Sequence, residues 1–160
     1  MATDDLIFAL TLFAALGGGL IAGVFFAFSA FVMKALARLA PREGIAAMQS
    51  INLIVINPLF LSVFLGTAVV SAIILVSSLF RWHTGAVYSI VGGALYLIGS
   101  LMVTVAFNIP RNDALARVAP DDPQSASVWA RYVVSWTAWN HVRAAASLAA
   151  AAAFILALCR

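Results

Sequence analysis

The chain has 160 residues, of which 64% are hydrophobic and 9% charged, with a formal net charge of +3. A soluble domain of this size has too little interior to hide so much apolar surface, so the solvent it requires is lipid. The basic residues are spread along the chain rather than gathered into one footprint, which excludes nucleic acid as the expected partner.

A bilayer is crossed by about 20 apolar residues in a helix. The first such run is 6–33, which carries no charge. It is far longer than a signal-peptide core, and Asp4 and Asp5 stand where a signal would carry Lys or Arg, so it is expected to stay as an anchor. Ala14, Gly18 and Ala22 lie four residues apart beside Gly17, Gly19 and Gly23. That spacing lets another helix, or a second copy of the chain in a homo-oligomer, approach closely in lipid.

The next uncharged stretch, 44–80, is too long for one span. Asn57 can cap a helix and Pro58 fits its first turn, so the second span is placed at 58–80. Residues 44–56 then form a short interfacial or re-entrant helix with Ile45, Met48, Ile51 and Val55 on one stripe. Arg81-Trp82-His83-Thr84 leaves room only for a tight hairpin into a third span at 85–107, where Ser89, Gly92, Gly93 and Gly99 favour close packing. Pro110 is expected to break that helix. Asn112 would then cap a short helix over 113–119, stopped by Pro120, and Asp122-Pro123 would start a last helix running through Trp129, Trp136 and Arg143 to Leu158, with its span at 134–158. The fold class is all-α: one domain, 1–160, built as a four-helix transmembrane bundle with a short interfacial helix before span two and an amphipathic loop before span four.

Lys34, Arg38, Arg42, Arg111, Arg117 and Arg131 follow spans one and three, against Arg81 and Arg160 at the other end. Basic residues favour the cytoplasm, so both termini are expected on the non-cytoplasmic side of the plasma (inner) membrane. The lone cysteine, Cys159, can form neither an internal disulfide nor a cysteine metal site. It reads as a membrane-edge residue, with palmitoylation as the second reading.

Polar residues collect at the predicted cytoplasmic end: Asn52 and Asn57, then Asn108, Pro110 and Asn112, then Trp136, Trp139, Asn140, His141 and Arg143. Trp136, Asn140 and Arg143 share a helix face, with His141 about 100° from Asn140. Two readings are open for Arg143. It snorkels to the headgroups beside a Trp136 and Trp139 belt, or it faces inward onto Asn side chains, carbonyls or a ligand. Asn108 and Asn112 read equally as helix-terminal residues or as site residues. His141 is either a polar interface anchor or a general base. No metal-ligand spacing and no phosphate loop is present in the sequence.

The segments Asn108-Ile109-Pro110-Arg111-Asn112-Asp113-Ala114-Leu115, Trp136-Thr137-Ala138-Trp139-Asn140-His141-Val142-Arg143 and Gly23-Val24-Phe25-Phe26-Ala27-Phe28-Ser29 together resemble the anthrone oxygenase-like membrane family, DUF1772. The likeness extends over nearly the whole chain, with Arg111 where the family commonly has a small apolar residue. It implies a four-helix membrane protein; fungal polyketide members oxidise an anthrone to an anthraquinone with molecular oxygen. On that footing the chain is expected to be a membrane-bound oxidase or oxygenase of a hydrophobic aromatic substrate, using O₂ with no bound cofactor and no metal. His141 would be the base, with Arg143 and Asn108 as further catalytic groups. Phe25, Phe28, Trp136 and Trp139 would form a greasy slot, joined by Asn52, Asn57, Asn112 and Asn140. The alternative is a non-catalytic membrane protein that binds a lipid or small molecule or packs with partner subunits.

Overall fold

The computed structural model describes residues 2–82 and 84–160, with side chains from Asp5 onward. His83 and the Asp4 side chain, both used in the sequence reading, lie outside them. Five helices form the described architecture. Helix α1 runs over Ala2–Ala27, widens into a π turn at Phe28–Val32 and closes with Met33–Leu36. Then come α2 (Pro41–Ile54), α3 (Pro58–Phe80), α4 (Ala86–Ala116) and α5 (Ser125–Leu158). The four helices other than α2 are long and apolar enough to cross a membrane, so the chain is an integral membrane protein.

The α2–α3 junction is built by Asn57. Its Oδ1 accepts the Phe60 N–H at 3.0 Å, which caps α3, while its Nδ2 donates to the Ile54 carbonyl at 2.9 Å. At the other end of the bundle Gly85 has φ of 135°, a conformation open to glycine. A Cβ there would also lie 3.0 Å from the Ala157 carbonyl of α5, so the hairpin passes that helix end only with glycine.

Helix α4 does not break at Pro110, contrary to the sequence expectation. Leu95–Met102 and Thr104–Asn108 are π-helical, and the Ile109 N–H donates to the Thr104 carbonyl five residues back. A proline ring clashes with the carbonyl four residues earlier in a regular helix; the wider turn relieves that contact. Arg111 donates from its guanidinium to the Phe107 carbonyl at 2.6 Å, covering an acceptor beside the proline. Asn112 therefore sits inside α4 and caps nothing, and no separate helix forms over 113–119.

The packing is inverted relative to a soluble protein. Leu16, Leu20, Phe26, Val69, Ile98, Met102 and Leu148 face outward, while Thr11, Ser71, Ser100, Asn108, Asn140, Arg143 and Ser147 are buried. Lipid rewards that arrangement, because polar groups find partners only inside the bundle. Small residues bring the helices together. Gly18 faces Ala151 of α5, and a methyl group at Gly99 would overlap Ala146. Ala14, Gly18 and Ala22 are thus used up by internal packing. One apolar cluster, around Ile21, Phe25, Phe64, Tyr96 and Phe154, fills the span region. A second, of Met33, Ile45, Met48, Leu115, Trp129, Tyr132 and Trp136, seats α2 across the loop end. Gln49 holds α2 there by donating to the Leu115 and Val118 carbonyls at 2.9 and 3.0 Å.

Candidate functional site

Helices α4 and α5 are joined by a ladder of polar contacts. Ser147 donates to Ser100 at 3.0 Å, Arg143 Nη1 to Thr104 Oγ1 at 3.2 Å, and Asn108 Nδ2 to the Trp136 carbonyl at 3.3 Å. Asn112 Oδ1 accepts Trp136 Nε1 at 2.8 Å and the Tyr132 hydroxyl at 2.9 Å. On α4 the rungs fall at every fourth residue. In a regular α-helix that repeat drifts by about 40° per step. The π turns hold more residues per turn and offset the drift, which keeps Ser100, Thr104 and Asn108 aimed at α5, with Asn112 following one α-helical step later.

Arg143 points inward and is 5% exposed. Its Nη2 donates to Asn140 Oδ1 at 2.6 Å, and its Nε has no hydrogen-bond partner among the described residues. The guanidinium carbon lies 4.1 Å from the Phe25 ring centroid and 5.1 Å from that of Trp136. These faces are attractive to a cation. Among the described residues no carboxylate is paired with it, and the segments 44–112 and 123–160 contain no Asp or Glu. A buried charge balanced only by dipoles and ring faces retains a strong preference for an anion.

That guanidinium forms part of the wall of a cavity of about 310 Å³, the lower end of the range for small-molecule sites. Phe25 and Phe28 of α1, Met48 and Asn52 of α2, Phe60 and Phe64 of α3 and Trp136 of α5 also line it. Thr104 and Asn112 add polar edges. Every long helix thus contributes, and the single charged group sits against an aromatic box.

Of the residues singled out in the sequence, Phe25, Phe28, Asn52, Asn112, Trp136 and Arg143 border this cavity. Asn140 and Asn108 stand behind it, 0% and 1% exposed, and act on its wall. Asn140 anchors through its Nδ2 to the Phe25 carbonyl at 2.7 Å and to Ser29 at 2.8 Å. Three residues are not brought together with the rest. His141 is exposed and borders a separate surface groove with Lys34 and Thr137, because two residues along a helix from Arg143 is about 200° of rotation. It is therefore out of place as the base of this cavity. Trp139 stacks on Phe107, centroids 3.6 Å apart and planes within 7°, outside the cavity lining. Asn57 is the α3 cap.

Thr104, Tyr132, Phe60 and Phe64 belong to the site or its support and are not singled out by the sequence; Ser29 stands there only as the last residue of the segment 23–29. The four-residue spacing of Ser100, Thr104, Asn108 and Asn112 was the available signal for Thr104.

A model of the family described as anthrone oxygenase matches residues 59–153. The match takes in all of α4 and most of α3 and α5, with Thr104, Asn108, Asn112, Trp136, Asn140 and Arg143, while Phe25, Phe28 and Asn52 fall outside it. No curated protein and no solved structure matches the chain. With more than half of its residues matched, this chain belongs to the anthrone oxygenase family.

Proposed function

We propose that the chain is a membrane-embedded oxygenase of a flat, hydrophobic aromatic ketone of the anthrone type, and that Arg143 binds the oxygen of its enolate. The observation that carries this reading is a buried guanidinium with no carboxylate partner among the described residues, opening onto an apolar aromatic cavity. Such a wall favours the enolate over the neutral ketone, because charge on the substrate oxygen develops where a preorganised cation waits.

The chemistry balances with molecular oxygen as the oxidant. The methylene between the two rings loses a proton and becomes the enolate. One electron passes from the enolate to O₂, and the resulting carbon radical and superoxide combine into a peroxide at that carbon. The peroxide takes up a proton; the remaining C–H proton and the distal oxygen then leave as water when the O–O bond breaks. A CH₂ and an O₂ become a C=O and an H₂O. No bound cofactor enters this scheme. Among the described residues Arg143 is the sole titratable group lining the cavity, so the first proton goes to water through the groove that continues past Asn52 and Asn112 to Asp113.

The test is oxygen uptake by the purified protein in lipid vesicles loaded with anthrone, with anthraquinone followed by absorbance. Wild type is expected to form one quinone per O₂, and Arg143→Gln to be slower by about 100- to 1,000-fold, the scale of removing one oxyanion donor. Wild-type turnover no faster than protein-free vesicles, or full activity in Arg143→Gln, would sink the reading. The ladder between α4 and α5 favours a second reading, in which the cavity holds an aromatic anion without oxidising it; saturable binding without oxygen uptake would identify that case. The basic residues at the α2 end further support both termini on the non-cytoplasmic side of the plasma membrane.

A further inference from the structure

The cavity has two mouths of different character. At the loop end, Asn52, Ile56, Ile109 and Asn112 border both the cavity and a groove that continues past Gln49 and Asp113. The second mouth is on the flank of the bundle. Leu61 and Leu65 of α3 line the cavity from one side, Leu101 and Val105 of α4 from the other. Leu65 is nevertheless 46% exposed and Val105 57% exposed. A side chain that is both cavity wall and outer surface marks an opening. Helices α3 and α4 pack from the level of Phe64, whose carbonyl accepts the Tyr96 hydroxyl at 3.1 Å, toward the hairpin end, where Gly93 meets Leu75 and Ser71. Along Thr104–Asn108 they barely touch.

Depth decides what this mouth faces. Leu65 lies about two turns, or roughly 10 Å, into α3 from Pro58, and Val105 lies six residues, roughly 9 Å, before Arg111, the first charged residue at that end of α4. That is within the hydrocarbon layer, where water is absent and apolar solutes collect. The rim residues Leu61, Leu65, Leu101 and Val105 carry no polar group that a lipid-dissolved ring would have to desolvate. Arg143 and Thr104 are polar groups of the cavity beyond the rim, with Asn52 and Asn112 toward the loop end.

We propose that the ligand of this cavity arrives sideways from the bilayer core, between Leu65 and Val105, as a lipid-dissolved flat aromatic molecule whose one ionisable oxygen leads toward Arg143. The choice of an aromatic enol as occupant rests on the oxygenase reading; the lateral mouth itself does not. The loop-end groove is then the route for protons and water, not for the ring.

The mouth can be tested without turnover. In a Cys159→Ser background, Thr104→Cys places a thiol inside the cavity beside Arg143, whose charge favours the reactive thiolate. The protein in vesicles is treated with lipid-soluble N-phenylmaleimide. Labelling is expected, and Leu65→Trp or Val105→Trp should slow it about tenfold, the scale of a steric mismatch in an apolar pocket. Ala116→Trp, which narrows the groove, should leave the rate unchanged. Phe60→Cys serves as a second reporter where Thr104→Cys disturbs folding. Equal rates in both rim variants, slowing by Ala116→Trp alone, or no labelling at either cysteine overturns the lateral mouth. Slowed labelling in a protein that takes up no oxygen upholds the mouth and removes the oxygenase reading.

Discussion

Arg143 donates to the side-chain oxygen of Asn140 at 2.6 Å, one turn back on the same helix, and the amide nitrogen of Asn140 is itself held by the Phe25 carbonyl and Ser29. Asn140 is thereby locked with its oxygen toward the guanidinium. It orients the cation without cancelling its charge, which an aspartate at the same place would do.

That difference gives the first prediction. Asn140→Asp keeps a hydrogen-bond acceptor beside Arg143 but neutralises the cavity wall. Affinity for an anionic enolate analogue should fall about 10- to 100-fold, the worth of one charge-assisted contact, while helix content is retained. Isothermal titration in detergent measures it. Unchanged affinity would mean that the charge of Arg143 is not what the ligand meets.

Arg143→Lys keeps the charge and loses the fork that bonds Thr104 and Asn140 together. A lysine is a point charge on a flexible stem and cannot reproduce that planar geometry. Turnover should drop while binding of the enolate analogue survives in part; a variant with wild-type kcat would show that charge alone suffices.

His141→Ala should leave oxygen uptake at the wild-type level, because the imidazole stands on an exposed face away from the cavity. A large loss of kcat, with KM unchanged, would return His141 to the reaction.

Gly99 and Ala146 form a close contact between α4 and α5. Gly99→Val should destabilise the bundle by about 1–3 kcal/mol through overpacking. Adding Ala146→Gly should recover part of that loss, read as thermal unfolding in detergent. No recovery in the double variant would place the strain elsewhere.

Asn57→Ala removes the α3 cap and should cost about 1 kcal/mol. Activity per folded molecule should not change, since Asn57 does not border the cavity. Reduced affinity at full folding would put this side chain in contact with the ligand after all.

The four spans and the interfacial helix were legible because long uncharged runs, Asn57-Pro58 and the basic connections leave few alternatives in lipid. Pro110 misled, since its effect depends on the turn it sits in, and π turns leave no mark in residue type. His141 misled for a different reason: adjacency to Asn140 in the chain becomes separation around a helix. The direction of Arg143 was open because snorkelling and burial use the same residue types near a membrane edge. Thr104 passed as one more small residue in an apolar run, although its spacing from Ser100 and Asn108 already traced a face.

The π turns of α4 also separate two tasks along the chain. By turning their stripe toward α5 they concentrate the cation and its supporting dipoles in the second half of the sequence, while α1 and α2 supply mostly rings and aliphatic bulk. Exchanging Phe28, Met48 or Ile51 for side chains of other sizes would then reshape the accepted carbon skeleton and leave the electrostatic machinery untouched, so new selectivities can be built from the amino-terminal third alone.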